Sequence, residues 1–155
     1  MNVENTAPES RSIHDSLGYW TSLMARTMEA EFNQRLSEFG VTRVSWAVLG
    51  AVHYDGITTP SELAKFLGID RAAITRLLDK LVAQDLVSRD QKENDRRSIS
   101  LQVTPKGASL AVELSRISKA VNAQFSDGLS DEEIEQYLVT VRKMLNNSKV
   151  TAGTL

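Results

Sequence analysis

Two neighbouring arginines, Arg96 and Arg97, and a helically spaced set, Arg71, Thr75, Arg76 and Lys80, are the side chains whose types and spacing carry chemistry in this 155-residue chain. Guanidinium and ammonium groups donate to phosphate, an arginine fork matches the O6/N7 edge of guanine, and a threonine hydroxyl can meet either base or backbone. Residue types for bond-making chemistry are not assembled. The sequence holds no Gly-rich phosphate loop, no HExxH and no GxSxG, and its carboxylates are scattered over capping and surface positions. Zero cysteines exclude disulfides, thiolate metal sites and thiol-based peroxide sensing. The two histidines, His14 and His53, stand far apart in sequence and form no ligand motif, even with Asp15 or Asp55 added. The expectation is a non-enzymatic chain with neither metal nor cofactor.

The elements that must position these cations are legible in the apolar spacing. Ile13, Leu17, Trp20, Met24 and Met28, with Leu23, Phe32 and Leu36 beside them, predict one long helix from Ile13 to near Phe39-Gly40. Thr42 reads as the cap of a second helix, with Val41 and Trp46 as its staple. Thr59-Pro60-Ser61-Glu62 opens a short third helix through a capping box with proline at its first position. Gly68-Ile69-Asp70 is a tight turn, and Asp70 caps a fourth helix that buries Ile74, Leu77, Leu78 and Leu81. At 100° per residue that stripe turns Ala72, Arg76, Asp79 and Ala83 outward, with Thr75 and Lys80 flanking and Arg71 in the first turn. The small side chain of Ala72 permits close approach to a ligand. The plainer reading is a solvated face on which Arg76 and Asp79 pair at i, i+3.

Leu86–Asp90 and Ser98–Val103 then read as strands, joined by an exposed hairpin loop over residues 91–97 that carries Arg96 and Arg97. Such a loop suits a narrow minor groove, with Asp95 holding an arginine in position or shaping the turn; alone, such a run is usually a solvated charge cluster, and its value here comes from its position one hairpin after a helix pair. Thr104-Pro105 caps a long helix containing Leu110, Leu114, Ile117, Val121 and Phe125. Ser130-Asp131-Glu132-Glu133 opens a last one through Met144 and Leu145. The predicted fold is mainly α with a small β-hairpin wing: a winged helix-turn-helix in the order α-α-α-α-β-β-α-α.

Charge supports the middle of the chain as the part that meets nucleic acid. The formal net charge is −2 overall, from 18 basic and 20 acidic side chains. Residues 62–107 hold 9 basic and 7 acidic groups, against 4 and 7 before them and 5 and 6 after. The excess is modest, so affinity would rest on placement and on two copies rather than on bulk charge. No apolar run is long enough for a bilayer, and the N-terminus lacks a secretory pattern, so a cytoplasmic protein without membrane contact is expected.

The stretch Glu62 to Gly107, with its ELA…LGI, TRLLDKLV, Asp95-Arg96-Arg97 and Thr104-Pro105-Lys106-Gly107 segments in order, resembles the MarR (multiple antibiotic resistance) family of bacterial transcription regulators. The resemblance extends over about Ile13 to Asn147. It implies a homodimer whose long N- and C-terminal helices, about 13–39 and 104–147, interleave between subunits. The part at about 57–107 would read one half of a pseudo-palindromic double-stranded DNA operator, as a repressor. Residues 1–12 and 148–155 would be flexible ends of the single domain 13–147. By the same resemblance Arg71, Thr75, Arg76 and Lys80 take recognition-helix positions, Arg96 and Arg97 the wing, and Ser61 a phosphate-contacting first turn. Many relatives carry serine where this chain has Asp70, whose charge faces phosphate unfavourably. Relatives commonly respond to small molecules. Tyr19, Trp20, Met24, Trp46 and His53 are candidates to line a pocket for an apolar or aromatic-anion effector, or are plain core. The competing reading is a winged-helix module that binds protein rather than DNA.

Overall fold

A computed structural model describes residues 12–92 and 95–148, with side chains described outside 91–98. The predicted ends, 1–12 and 148–155, lie almost wholly outside that range. Six helices and one hairpin follow in the predicted order: α1 Leu17–Ser37, α2 Arg43–His53, α3 Pro60–Leu67, α4 Arg71–Ala83, β1 Val87–Lys92, β2 Asp95–Val103, α5 Pro105–Phe125 and α6 Asp131–Asn147.

Capping chemistry sets most of these bounds. Thr42, Thr59, Asp70, Thr104 and Ser130 each accept a backbone N–H from the first turn of the helix they precede. At Thr59 and Ser130 the glutamate three residues on returns a bond to the cap, closing the box. The Ser130 amide and hydroxyl hold the Glu133 carboxyl below the usual carboxylate range. Because the value is lowered in the folded chain, this cap persists at neutral pH and is lost as pH falls through that lowered range.

The first helix departs from expectation. Ile13–Asp15 is a separate 3-10 turn with its own capping box between Ser12 and Asp15, and Ser16 is extended before α1 begins. The apolar period runs unbroken across Ser16, so periodicity alone joined what the Ser12–Asp15 pair closes off. The wing also departs. The ladder continues past the expected loop to pair Lys92 with Asp95, while Gln91 pairs with Ile99. Arg96, Arg97 and Ser98 therefore fall between successive partners, as an irregularity within β2 rather than in a free loop. Strand pairing is a backbone property, and an exposed two-stranded ribbon needs no apolar alternation, which is the only signal the sequence offers.

The core gathers Leu36 of α1, Val48 and Leu49 of α2, Leu63 and Leu67 of α3, Ile74, Leu78 and Leu81 of α4, Leu101 of β2 and Leu114 of α5, all essentially without solvent contact. It fastens the wing's base to α5. Thr104 donates its hydroxyl to the Asp85 carbonyl at 2.7 Å and its amide to the Leu86 carbonyl at 3.1 Å. Gly107 lies so close beneath that strand entry that a Cβ there would sit 1.9 Å from the Leu86 oxygen.

Backbone on both sides fills that space, so Gly107→Ala must move α5 or the wing. Urea denaturation should show a loss of about 3 kcal/mol, typical of an overpacked site.

Candidate nucleic-acid interface

Helix α4 owes its orientation to Ile74, Leu78 and Leu81, each 0% exposed on the inner side. Leu77, expected beside them, is half-buried at the edge of the stripe. Ala72, Arg76 and Asp79 stand exposed on the outer side with Thr75 and Lys80 exposed beside them, as a 100° step per residue requires, and Arg71 is exposed in the first turn. Arg76 and Lys80 have no ion-pair partner among the described residues. The Thr75 hydroxyl donates back to the Arg71 carbonyl at 2.8 Å, leaving its lone pairs as the outward capacity.

The turn between α3 and α4 brings two sequence-distant candidates together. Gly68 ends α3 at φ +64°, a left-handed conformation that costs glycine little. Asp70 then accepts the Ala73 amide at 3.0 Å. Across the turn the Arg71 guanidinium donates to the Ser61 hydroxyl, so the first turns of α3 and α4 present one joined polar corner. Both are helix N-termini, the ends whose free N–H groups favour phosphate. The Asp70 carboxylate opposes that preference.

Asp95, Arg96 and Arg97 lie in β2, next to the hairpin tip, and their side chains fall outside the described residues. The strand residue that sequence reasoning missed is Arg89. In β1 it pairs opposite Leu101 and so shares the face of that buried side chain. From there its guanidinium reaches α4, donating to Asp79 Oδ1 at 2.6 Å and to the Thr75 carbonyl at 3.3 Å. Its Nε is buried with no acceptor. Asp79 thus pairs across to the wing and not with Arg76. The available signal was the alternation itself, since Arg89 occupies the inward position next after buried Val87.

The five candidate effector residues are not gathered within the chain. Tyr19 meets His14 edge to face and Trp20 lies tilted against it, with ring centroids 4.8 and 6.2 Å away, and the Trp20 indole donates to the His14 carbonyl. Trp46 lies edge-on to Phe32 at 5.0 Å, twelve residues further along α1 and therefore about 18 Å beyond Trp20. His53 packs on Tyr54, and Met24 is half-buried. Trp46 lines two open clefts, one of about 270 Å³ with Met28, Phe32 and Val121, and one of about 340 Å³ with Tyr54, Phe66 and Leu67. Arg43 edges the first and is paired with Glu29 at 3.3 Å. Among the described residues no group of three or more histidines or carboxylates is placed to hold a metal ion. No described helix is long and apolar enough to cross a membrane.

Residues 41–99, spanning α2 to the wing, match the MarR family. Over that stretch the chain carries the MarR family pattern. That family consists of winged helix-turn-helix DNA-binding transcription regulators, which are not enzymes. Among similar structures, a cysteine-to-serine mutant of E. coli MarR complexed with operator DNA shares 25% identity at a TM-score of 0.74, over 88% of this chain and 99% of that one. The S. aureus MepR–DNA complex shares 25% at 0.75, over 85% and 98%. BpsR of Bordetella bronchiseptica, whose DNA binding is regulated by 6-hydroxynicotinic acid, has the same fold at 22% identity and a TM-score of 0.75, over 86% and 96%. In this chain the joined corner at Ser61 and Arg71 depends on the Asp70 cap. Asp70→Ala should cost about 1 kcal/mol in thermal unfolding, whereas Asp70→Ser, which caps equally well, should stay within a few tenths.

Proposed function

We propose that the chain acts in the cytoplasm as a homodimeric, ligand-responsive repressor that reads a pseudo-palindromic DNA operator. The observation that carries this reading is the exposed surface of α4: Thr75, Arg76 and Lys80, with Arg71 in the first turn, all exposed while Ile74, Leu78 and Leu81 are fully buried. A helix of that width enters the major groove, where Arg76 would meet base edges and Arg71, Ser61 and Lys80 would meet phosphate. Arg96 and Arg97, adjoining the hairpin tip, would reach the neighbouring minor groove, with Asp95 setting their position. The operator-bound E. coli relative and the DNA-bound S. aureus one support duplex DNA as the partner.

Exposed apolar surface supports the second copy. Ile13, Leu17 and Trp20 are each more than half exposed, and Leu129, Tyr137, Leu138 and Leu145 form a comparable set near and along α6. No residue of α6 is buried, although its apolar positions recur at helical spacing. Interleaving these helices with those of a partner removes that surface from water. Each recognition helix would then stand on one half-site. The cleft at Trp46, Phe32 and Arg43 is the place we assign to an apolar or aromatic-anion effector. Its occupation would shift the spacing of the two α4 helices.

Selection from a random duplex pool should recover a palindrome with half-site centres about 10 base pairs apart, or a multiple of that. An unstructured or non-palindromic output would overturn the dimeric reading. On the selected duplex, Arg96→Ala with Arg97→Ala should lower the slope of log affinity against log salt by about 2, leaving the dimer's sedimentation unchanged. Arg76→Ala should instead relax preference at one position per half-site, by about 1–3 kcal/mol.

A further inference from the structure

Asp79 is a carboxylate on the exposed side of α4, one turn from Arg76 and beside Lys80. Side chains three apart on a helix are neighbours, so an unengaged Asp79 would draw the Arg76 guanidinium along the helix surface. Here it is engaged from outside the helix. Arg89 approaches from β1 with one nitrogen 2.6 Å from Asp79 Oδ1 and another 3.3 Å from the Thr75 carbonyl, spanning one turn of α4. The Arg89 side chain is only 28% exposed, against 59% for Asp79. Its Nε is buried without an acceptor. A guanidinium taken from solvent at that cost, on a strand face otherwise given to Val87, Leu101 and Val103, is held there by what its fork grips. The planar fork also fixes the direction of the bond, which a flexible surface pair does not.

We propose that Arg89 is a positioning residue for DNA recognition that acts through Asp79: by occupying the carboxylate it keeps Arg76 free to read a base edge. The wing thus contributes to major-groove specificity without touching the major groove. This inference rests on the reading of α4 as the DNA-contacting helix, and its test separates the two. Affinities of the wild-type chain and its variants would be measured by fluorescence titration on the selected duplex, and on duplexes altered at the position whose preference Arg76→Ala relaxes. Wild-type protein that binds no duplex overturns the DNA reading itself.

Given wild-type binding, Arg89→Gln should lose about tenfold on the selected duplex and little on the altered one, so that base preference collapses as it does for Arg76→Ala. Adding Asp79→Asn removes the competing carboxylate and should return both affinity and preference to within about threefold of wild type. A phosphate contact made by Arg89 itself would weaken both duplexes alike and would not be relieved by Asp79→Asn. A merely structural role would lower the melting temperature and leave preference intact. Either result overturns the proposal, as does Arg89→Gln with undiminished preference. If Arg89→Gln does not fold, Arg89→Lys carries the test. It retains a charge for Asp79 and is expected to keep the preference, and its loss would count against the inference.

Discussion

One 13-residue helix must bury one side completely and leave the other entirely to solvent, and the rest of the molecule answers to that requirement. Ile74, Leu78 and Leu81 lie at the centre of the core, so α4 cannot rotate without exposing three large side chains, at roughly 1.5–3 kcal/mol each. Rotation is therefore fixed by the hydrophobic effect, while the opposite side is left free for charge. The capped turn at Asp70 fixes where the helix begins, and the Arg89 fork ties its middle to the wing. Recognition chemistry is thus placed by three different forces: apolar burial for rotation, backbone hydrogen bonding for the start, and a charge-assisted bond for the relation to the hairpin.

Much of this arrangement is written locally and could be read without a structure. The caps at Thr42, Thr59, Asp70, Thr104 and Ser130 depend on residues within one turn, and each is present. The stripe of α4 follows from 3.6-residue periodicity, which is why Arg76 and the flanking Thr75 and Lys80 were identifiable as an outer set, while Arg71 was placed by its position in the first turn. Periodicity failed where a short-range polar pair overrode it, at the Ser12–Asp15 box that detaches a 3-10 turn from α1. It failed again in the wing, because the irregular register that sets apart Arg96 and Arg97 is a property of two backbones.

Relations between distant elements were the least legible. Arg89 and Asp79 stand ten residues apart on elements of different period, and neither pattern announces the other. The aromatic candidates show the converse error. Tyr19, Trp20 and Trp46 share a residue class, yet most of α1 lies between the first two and the Phe32 ring on which Trp46 of α2 packs. A period assigns a side chain to a face but says nothing about distance along the axis.

Helix α6 buries none of its residues within its own chain, although it is 17 residues long and carries apolar side chains throughout. In proteins most helical stability comes from packing an amphipathic face rather than from propensity. In the dimeric reading its order is borrowed from the partner, and folding becomes linked to protomer concentration by mass action. Dilution would then act twice on such a regulator, lowering the number of readers and loosening each one that remains. Occupancy of an operator would rise more steeply with expression than a single binding equilibrium allows. A helix that contributes nothing to its own core would thus give the cell a threshold.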